Sequence, residues 1–125
     1  VKVIDAGVVV GLLVGDLDTA VLDDDELVVP HLLDSEVTNV LRRLAVQRSL
    51  TDRQAGRALD GFSLLVLTRF PADWLRPRIW ELRHNLSAYD ATYVALAEAL
   101  DATALLTTDA RLAGAPGPRC RIELV

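Results

Sequence analysis

Asp5, Glu36, Asp90 and Asp109 are the residues of this sequence with which chemistry could be done. Asp90 stands three residues after Ser87, the spacing of a helix-capping box, and it heads the row Tyr93, Val94 and Ala97 at helical intervals. That row is otherwise apolar and therefore faces protein, where an unpaired carboxylate is costly. Asp109 follows the apolar run Ala102–Leu106, Asp5 ends the β-branched run Lys2-Val3-Ile4, and Glu36 borders an apolar helical stripe. Taken singly, each acid has a plainer reading: a capping acid, a helix N-cap, a surface glutamate, a strand-end acid. Taken together they imply more. Carboxylates a few ångströms apart cannot all ionise at neutral pH without raised pKa values or a cation, and an all-oxygen ligand set suits Mg²⁺ or Mn²⁺. The chemistry natural to such a set is phosphodiester hydrolysis, with a metal-activated water attacking and the leaving oxygen stabilised. Nothing else competes as a nucleophile: Cys120 lies in a late loop without a basic neighbour, and His31 and His84 read as helix-start and helix-end residues.

The elements that must position these acids alternate in type. Lys2–Ile4 reads as a first strand and Ala6–Val14 as a buried helix. Leu27–Val29 is a second strand stopped by Pro30, and His31–Arg48 is a helix whose stripe is Leu33, Val37, Val40, Leu41 and Leu44. A helix capped by Thr51 and stopped at Gly61 comes next, then a third strand at Leu64–Leu67 and a helical segment from Pro71 to about Asn85, interrupted at Pro77. The helix from Ser87, a strand at Ala102–Leu106, one turn at Ala110–Ala113 and an edge strand at Arg121–Val125 complete the chain. Strands alternating with helices imply a three-layer α/β/α domain around a mainly parallel sheet, with right-handed crossovers. Sites in that architecture lie at the C-terminal edge of the strands. Asp5 and Asp109 fall at strand ends, and Glu36 and Asp90 are expected in the first turns of helices, so all four are drawn to one rim.

Composition bounds the rest. The chain has 125 residues, one domain's worth, and about half of them are hydrophobic. A single cysteine excludes an internal disulfide framework and fits a reducing compartment. The apolar run Ala6–Val14 is shorter than the roughly 20 residues of a membrane span, so a cytoplasmic protein is expected. A net charge of −5 argues against coating nucleic acid by net field, without excluding a nucleic-acid substrate. The acid-rich Asp16–Glu26 reads as solvated surface, Arg42, Arg43 and Arg48 as a polar helix face, and Trp74 and Trp80 as core.

Val3-Ile4-Asp5-Ala6, Glu36 with Asn39, Leu86-Ser87-Ala88-Tyr89-Asp90-Ala91 with Tyr93, and Thr107-Thr108-Asp109 with Arg111-Leu112 resemble, in order and spacing, the PIN-domain proteins of the VapC toxin type. The resemblance implies that residues 1–125 form a single PIN domain acting as a Mg²⁺- or Mn²⁺-dependent endoribonuclease. It also implies a homodimer held in check by a cognate VapB-type antitoxin. Carried over by position, Asp5, Glu36, Asp90 and Asp109 are the catalytic and metal-binding acids, and Asn39 and Thr108 orient carboxylates or substrate. Two positions depart from the family pattern. Gly7 stands where a small hydroxyl residue is usual, and no further acid follows Asp109 within Ala110–Gly114.

Other rim-acid enzymes fit less well. A haloacid-dehalogenase-type phosphatase needs a second Asp at the position of Gly7, and a receiver domain needs a late lysine, whereas Lys2 is the only lysine. The alternative of a different class is a PIN-like module that binds RNA or a protein without cutting.

Overall fold

Five short strands, all parallel, form one sheet through the centre of the molecule in the computed structural model, which describes residues 1–125. They are β1 (Lys2–Ile4), β2 (Leu27–Pro30), β3 (Thr68–Phe70), β4 (Ala104–Thr107) and β5 (Ile122–Leu124), in the spatial order β3-β2-β1-β4-β5. The three innermost are buried on both faces, as a parallel sheet under two helical layers requires. That explains their unbroken Val, Ile and Leu content. The edge strands β3 and β5 are more exposed.

Six helices connect them: α1 (Ala6–Val14), α2 (Leu32–Val46), α3 (Asp52–Leu64), α4 (Arg76–Glu81), α5 (Ala88–Ala99) and α6 (Ala110–Ala113). Connections from β1 to β2 to β3 step one way across the sheet, and those from β3 to β4 to β5 step the other. Right-handed crossovers therefore place α1–α3 and α4–α6 on opposite faces. The reversal falls between β1 and β4, the switch point at which open parallel sheets form a crevice beyond their strand ends.

Local chemistry sets the helix limits. Asp5 caps α1, which ends at Gly15 with φ 86°, a left-handed conformation that costs glycine nothing. Thr51 and Gln54 form a full capping box at the start of α3. In α2 the stripe Leu33, Val37 and Leu41 is buried, with Val40 and Leu44 packed at its margin. α5 is the most enclosed helix, buried continuously from Ala91 to Ala97 against β1, β2 and β4.

Four expectations need correction. The run Leu64–Leu67 is not a strand: α3 continues through Gly61 to Leu64, and the ladder with β2 begins only at Thr68. Leu65 and Leu67 pack on the core while Leu64 and Val66 face solvent, so the alternation is real but without strand pairing. The segment after Pro71 is a 3-10 turn at Asp73–Leu75 followed by the short α4, because Pro77 fits only the first turn of a helix. Trp74 and Trp80 are 47% and 67% exposed, not core. The Trp74 indole donates to the Pro71 carbonyl and Trp80 lies under the Arg83 guanidinium, so both rings have surface partners.

Finally, Asp16–Glu26 is not simply solvated. Asp23 and Asp25 converge on the ammonium of Lys2, whose side chain is only 9% exposed, and Glu26 accepts from Thr68. These contacts seal the N-terminal ends of β1 and β2, opposite the rim where the acids gather.

Candidate metal centre at the switch point

Register delivers the first contact. Ile4 pairs with Leu106, and the Asp5 amide donates to the Leu106 carbonyl, so the next residues along, Asp5 and Thr107, face one another across β1 and β4. Asp5 is buried and uses both carboxylate oxygens. Oδ1 accepts from the Val8 amide at 3.0 Å as the cap of α1, and Oδ2 accepts from the Thr107 hydroxyl. The Thr107 oxygen in turn accepts from the Asp109 amide at 3.0 Å. One fully buried hydroxyl thus fixes the positions of two of the four acids.

Asp90 lies in the first turn of α5. Ser87 caps that helix by accepting from the Asp90 amide at 3.1 Å, but the Asp90 carboxylate does not return a bond to the Ser87 amide. Only half of the expected capping box forms, which leaves the carboxylate free for the crevice. Glu36 projects from the second turn of α2 and accepts from the Tyr93 hydroxyl at 2.5 Å. Tyr93 is one turn along α5 from Asp90, so α5 presents an acid and the anchor of another acid on one face.

The electrostatics show a site short of positive charge. Burial raises the Asp5 carboxyl above its ordinary range, against the hydrogen bonds from Thr107 and Val8, and the charges of Asp90 and Asp109 add to the rise. Burial likewise raises Glu36, opposed by Tyr93 and reinforced by Asp90 and Asp5. Asp90 is raised by burial and by Asp109, with Arg111 and Ser87 acting in the other direction. Asp109 is lowered, chiefly by the Arg111 amide, which it accepts at 2.9 Å as the cap of α6. Tyr93 is raised far beyond the usual phenol range by burial and then by Glu36, so it stays a donor.

Asp5 therefore lies within reach of Asp90 and Asp109, Glu36 within reach of Asp5 and Asp90, and Asp90 within reach of Asp109, all at the same rim. They do not form a ready cage: no three of the chain's acidic, histidine or cysteine side chains converge tightly enough to enclose an ion. The donor chemistry still fits a hard divalent cation, because Mg²⁺ typically uses one or two carboxylates and completes its shell with water and substrate oxygens. Beside Asp90 and Asp109 opens a cavity of about 320 Å³ that also reaches Asn85 and Arg111.

The two predicted orienting residues fare differently. Asn39 is exposed and its Oδ1 accepts from Arg42 Nε at 3.2 Å rather than bonding a carboxylate. Thr108 is exposed at the rim next to Gly7. Sequence reasoning missed Thr107 and Arg111 as site residues and read Tyr93 only as part of an apolar row. The hydroxyl of Tyr93 heading toward an acid-lined face was the available signal; the roles of Thr107 and Arg111 needed the strand register and the α6 turn.

Comparisons with known proteins bear on the family and the fold. The PIN domain family model matches residues 2–117. The chain is 45% identical to Ribonuclease VapC1 of Mycobacterium tuberculosis, over 98% of this chain and 96% of that protein. It is 45% identical to Ribonuclease VapC9 of the same organism, over 98% and 97%. Among solved structures, PAE2754 from Pyrobaculum aerophilum superposes with a TM-score of 0.59 at 23% identity, covering 89% of this chain and 81% of that one, a likeness of fold. The fold and the acid-lined rim define a PIN-type α/β/α protein. The chain belongs to the PIN-domain family, in its VapC-type branch.

Proposed function

We propose that this chain is a Mg²⁺- or Mn²⁺-dependent endoribonuclease, the toxin of a VapBC-type toxin–antitoxin pair, which hydrolyses RNA phosphodiester bonds. The observation that carries the reading is the trio Asp5, Glu36 and Asp90, three acids of raised proton affinity gathered at the switch point with no lysine or arginine hydrogen-bonded to any of them. Such a trio is stabilised by a cation from outside the protein. VapC1 and VapC9 carry the name ribonuclease, which supports RNA as the substrate.

Asp5, Glu36, Asp90 and Asp109 would hold the ion, which when bound supplies an activated water and neutralises charge on the phosphate oxygens. The chain's own residues do the rest. Thr107 and the α1 amide hold Asp5 in one orientation, and Tyr93 does the same for Glu36. Without a cation the Glu36 and Asp90 carboxyls sit above the ordinary range, so a divalent ion is what would keep both ionised at the rim. The Arg111 side chain, 93% exposed and held only by a loose 3.6 Å ion pair with Asp109, can exchange that carboxylate for a backbone phosphate. A VapB-type antitoxin inhibits this site most directly by placing an arginine among the carboxylates, and the toxin acts as a homodimer in the cytoplasm.

The test is incubation of tRNA and rRNA with the protein in Mg²⁺ or Mn²⁺, alongside Asp90→Asn and an EDTA control. Cleavage by the wild type alone is expected; equal cleavage in all three arms overturns the mechanism. The absence of a tight three-acid cage favours a second reading, a PIN module that binds RNA without cutting. Wild-type binding with no cleavage across the same RNAs would select it.

A further inference from the structure

Gly7 sits in the first turn of α1, two residues after Asp5, and faces the loop that leaves β4. A methyl carbon placed on Gly7 would lie 2.3 Å from the Thr108 Oγ1 and 3.5 Å from Asp5 Oδ1. The first distance is far inside van der Waals contact, so the Thr108 hydroxyl occupies the volume that any other residue at position 7 would fill. β-Branching restricts the χ1 of Thr108, and the empty side-chain position at Gly7 gives the hydroxyl room in that slot. Both Asp5 oxygens already accept a hydrogen bond, from Val8 and from Thr107. The Thr108 hydroxyl is not needed for either bond, and it makes no hydrogen bond to the protein. A surplus donor lies beside the most buried acid of the site, on a residue open to solvent.

We propose that Gly7 and Thr108 are a matched pair, in which the missing side chain at position 7 seats the Thr108 hydroxyl beside Asp5 so that it positions a phosphate oxygen of the bound RNA. This rests on the ribonuclease reading, and it narrows the orienting role that the resemblance implied for Thr108 to a phosphate contact and gives the reason for a glycine at position 7. A hydroxyl donating to a phosphate oxygen makes a charge-assisted bond, and Thr108 would make one next to carboxylates that themselves repel the RNA.

The experiment uses the full chain and an RNA that the wild type cuts, with Thr108→Ala, Thr108→Ser, Gly7→Ser and the double variant Gly7→Ser/Thr108→Ala, each checked for an unchanged melting profile. Thr108→Ala is expected to lose about tenfold in kcat/KM, the scale of one hydrogen bond made to the reacting phosphate. Thr108→Ser is expected to stay near the wild type. Gly7→Ser loses activity because the new side chain expels the Thr108 hydroxyl, and the double variant recovers it because the introduced serine hydroxyl has the vacated slot to itself. A second readout needs no turnover: in the Asp90→Asn background, Thr108→Ala weakens binding of the same RNA and Thr108→Ser does not. Wild-type rates for Thr108→Ala, equal losses for Thr108→Ala and Thr108→Ser, or a double variant no better than Thr108→Ala would each overturn the pairing. If Asp90→Asn itself cuts RNA at the wild-type rate, it is the ribonuclease mechanism that fails; a silent Thr108 with an inactive Asp90→Asn sinks only the pair. Should Gly7→Ser not fold, the alanine–serine comparison at Thr108 decides alone.

Discussion

The Tyr93 hydroxyl donates to Glu36 Oε1 at 2.5 Å, joining α5 to α2 above the C-terminal ends of the strands. The bond favours the ionised form of Glu36 against the burial that opposes it. Tyr93→Phe removes the bond and keeps the ring. The Glu36 carboxyl then moves further upward, so the acid limb of the pH–rate profile shifts to higher pH. Because the phenol is buried, the variant also loses about 1–2 kcal/mol of stability. A pH–rate series and denaturant titration on the two proteins check both effects; an unmoved acid limb would separate Glu36 from the rate.

Thr107 is a second point of failure. Its hydroxyl donates to Asp5 and accepts from the Asp109 amide, and the residue is wholly buried. Thr107→Val keeps the shape and strands both partners, at a cost of about 2–3 kcal/mol. Activity falls with it, because Asp5 and Asp109 lose their shared tether. Thr107→Ser keeps the tether and loses only a methyl group, so urea unfolding should rank wild type, Ser, then Val.

Removing divalent ions should reverse a pH trend. Asp5, Glu36 and Asp90 all have folded-state pKa values raised above their ordinary ones. An acid whose pKa is raised by folding is more protonated in the native state, so its contribution to stability falls as pH rises from about 4 through the raised value. With EDTA present, these three sites therefore erode stability toward neutral pH. Added Mg²⁺ favours the ionised carboxylates, so the gain in Tm on adding it should be small near pH 4 and grow toward pH 8. Asp5→Asn should abolish most of that gain in a thermal-shift assay; a Mg²⁺ effect independent of pH and of Asp5 would place the ion elsewhere.

The opposite sign belongs to Glu98. Burial works to raise its carboxyl, but Arg78 binds it through two bonds, at 2.7 and 3.1 Å, and the Arg119 amide adds a third at 2.7 Å, bringing it below its usual range. Its contribution is present above the unfolded pKa and is lost as pH falls through the lowered folded value. Glu98→Gln should cost about 1–2 kcal/mol at pH 7, since it takes the closer and more buried of two carboxylates from Arg78 and leaves it Glu81, at 3.2 Å. The difference from the wild type should begin to narrow below about pH 4, where the unfolded chain takes up the proton, and should close only once pH has fallen past the lowered folded-state value. Chemical denaturation at pH 7 and at pH 3 measures it.

Much of this was legible in the residues. The apolar runs of β1, β2 and β4 and the caps at Asp5, Thr51 and Ser87 are local signals, and local signals survive folding. β3 was not legible, because an edge strand needs little apolar content: Thr68 and Arg69 qualify, while the more apolar Leu64–Leu67 closes a helix and packs as an unpaired link. The four acids could be brought to one rim by topology alone. What holds them there could not, since the Thr107–Asp5 bond depends on the β1–β4 register and the Tyr93–Glu36 bond on the approach of two helices distant in sequence. Asp90 was legible as a cap-region acid, but the absence of its half of the capping box is a fact of side-chain direction.

Lys2 carries the chain's only side-chain amine, and the fold keeps it beneath Asp23 and Asp25 at the end of β1 remote from the acid rim. Acylating reagents, amine-coupled fluorophores and lysine-bridging cross-linkers will therefore find almost nothing to attack on the native side-chain surface. Modification of Lys2 becomes a clock for the opening of the β1–β2 end. Its rate reports how often the strand that bears Asp5 comes loose, and it can be read without any substrate.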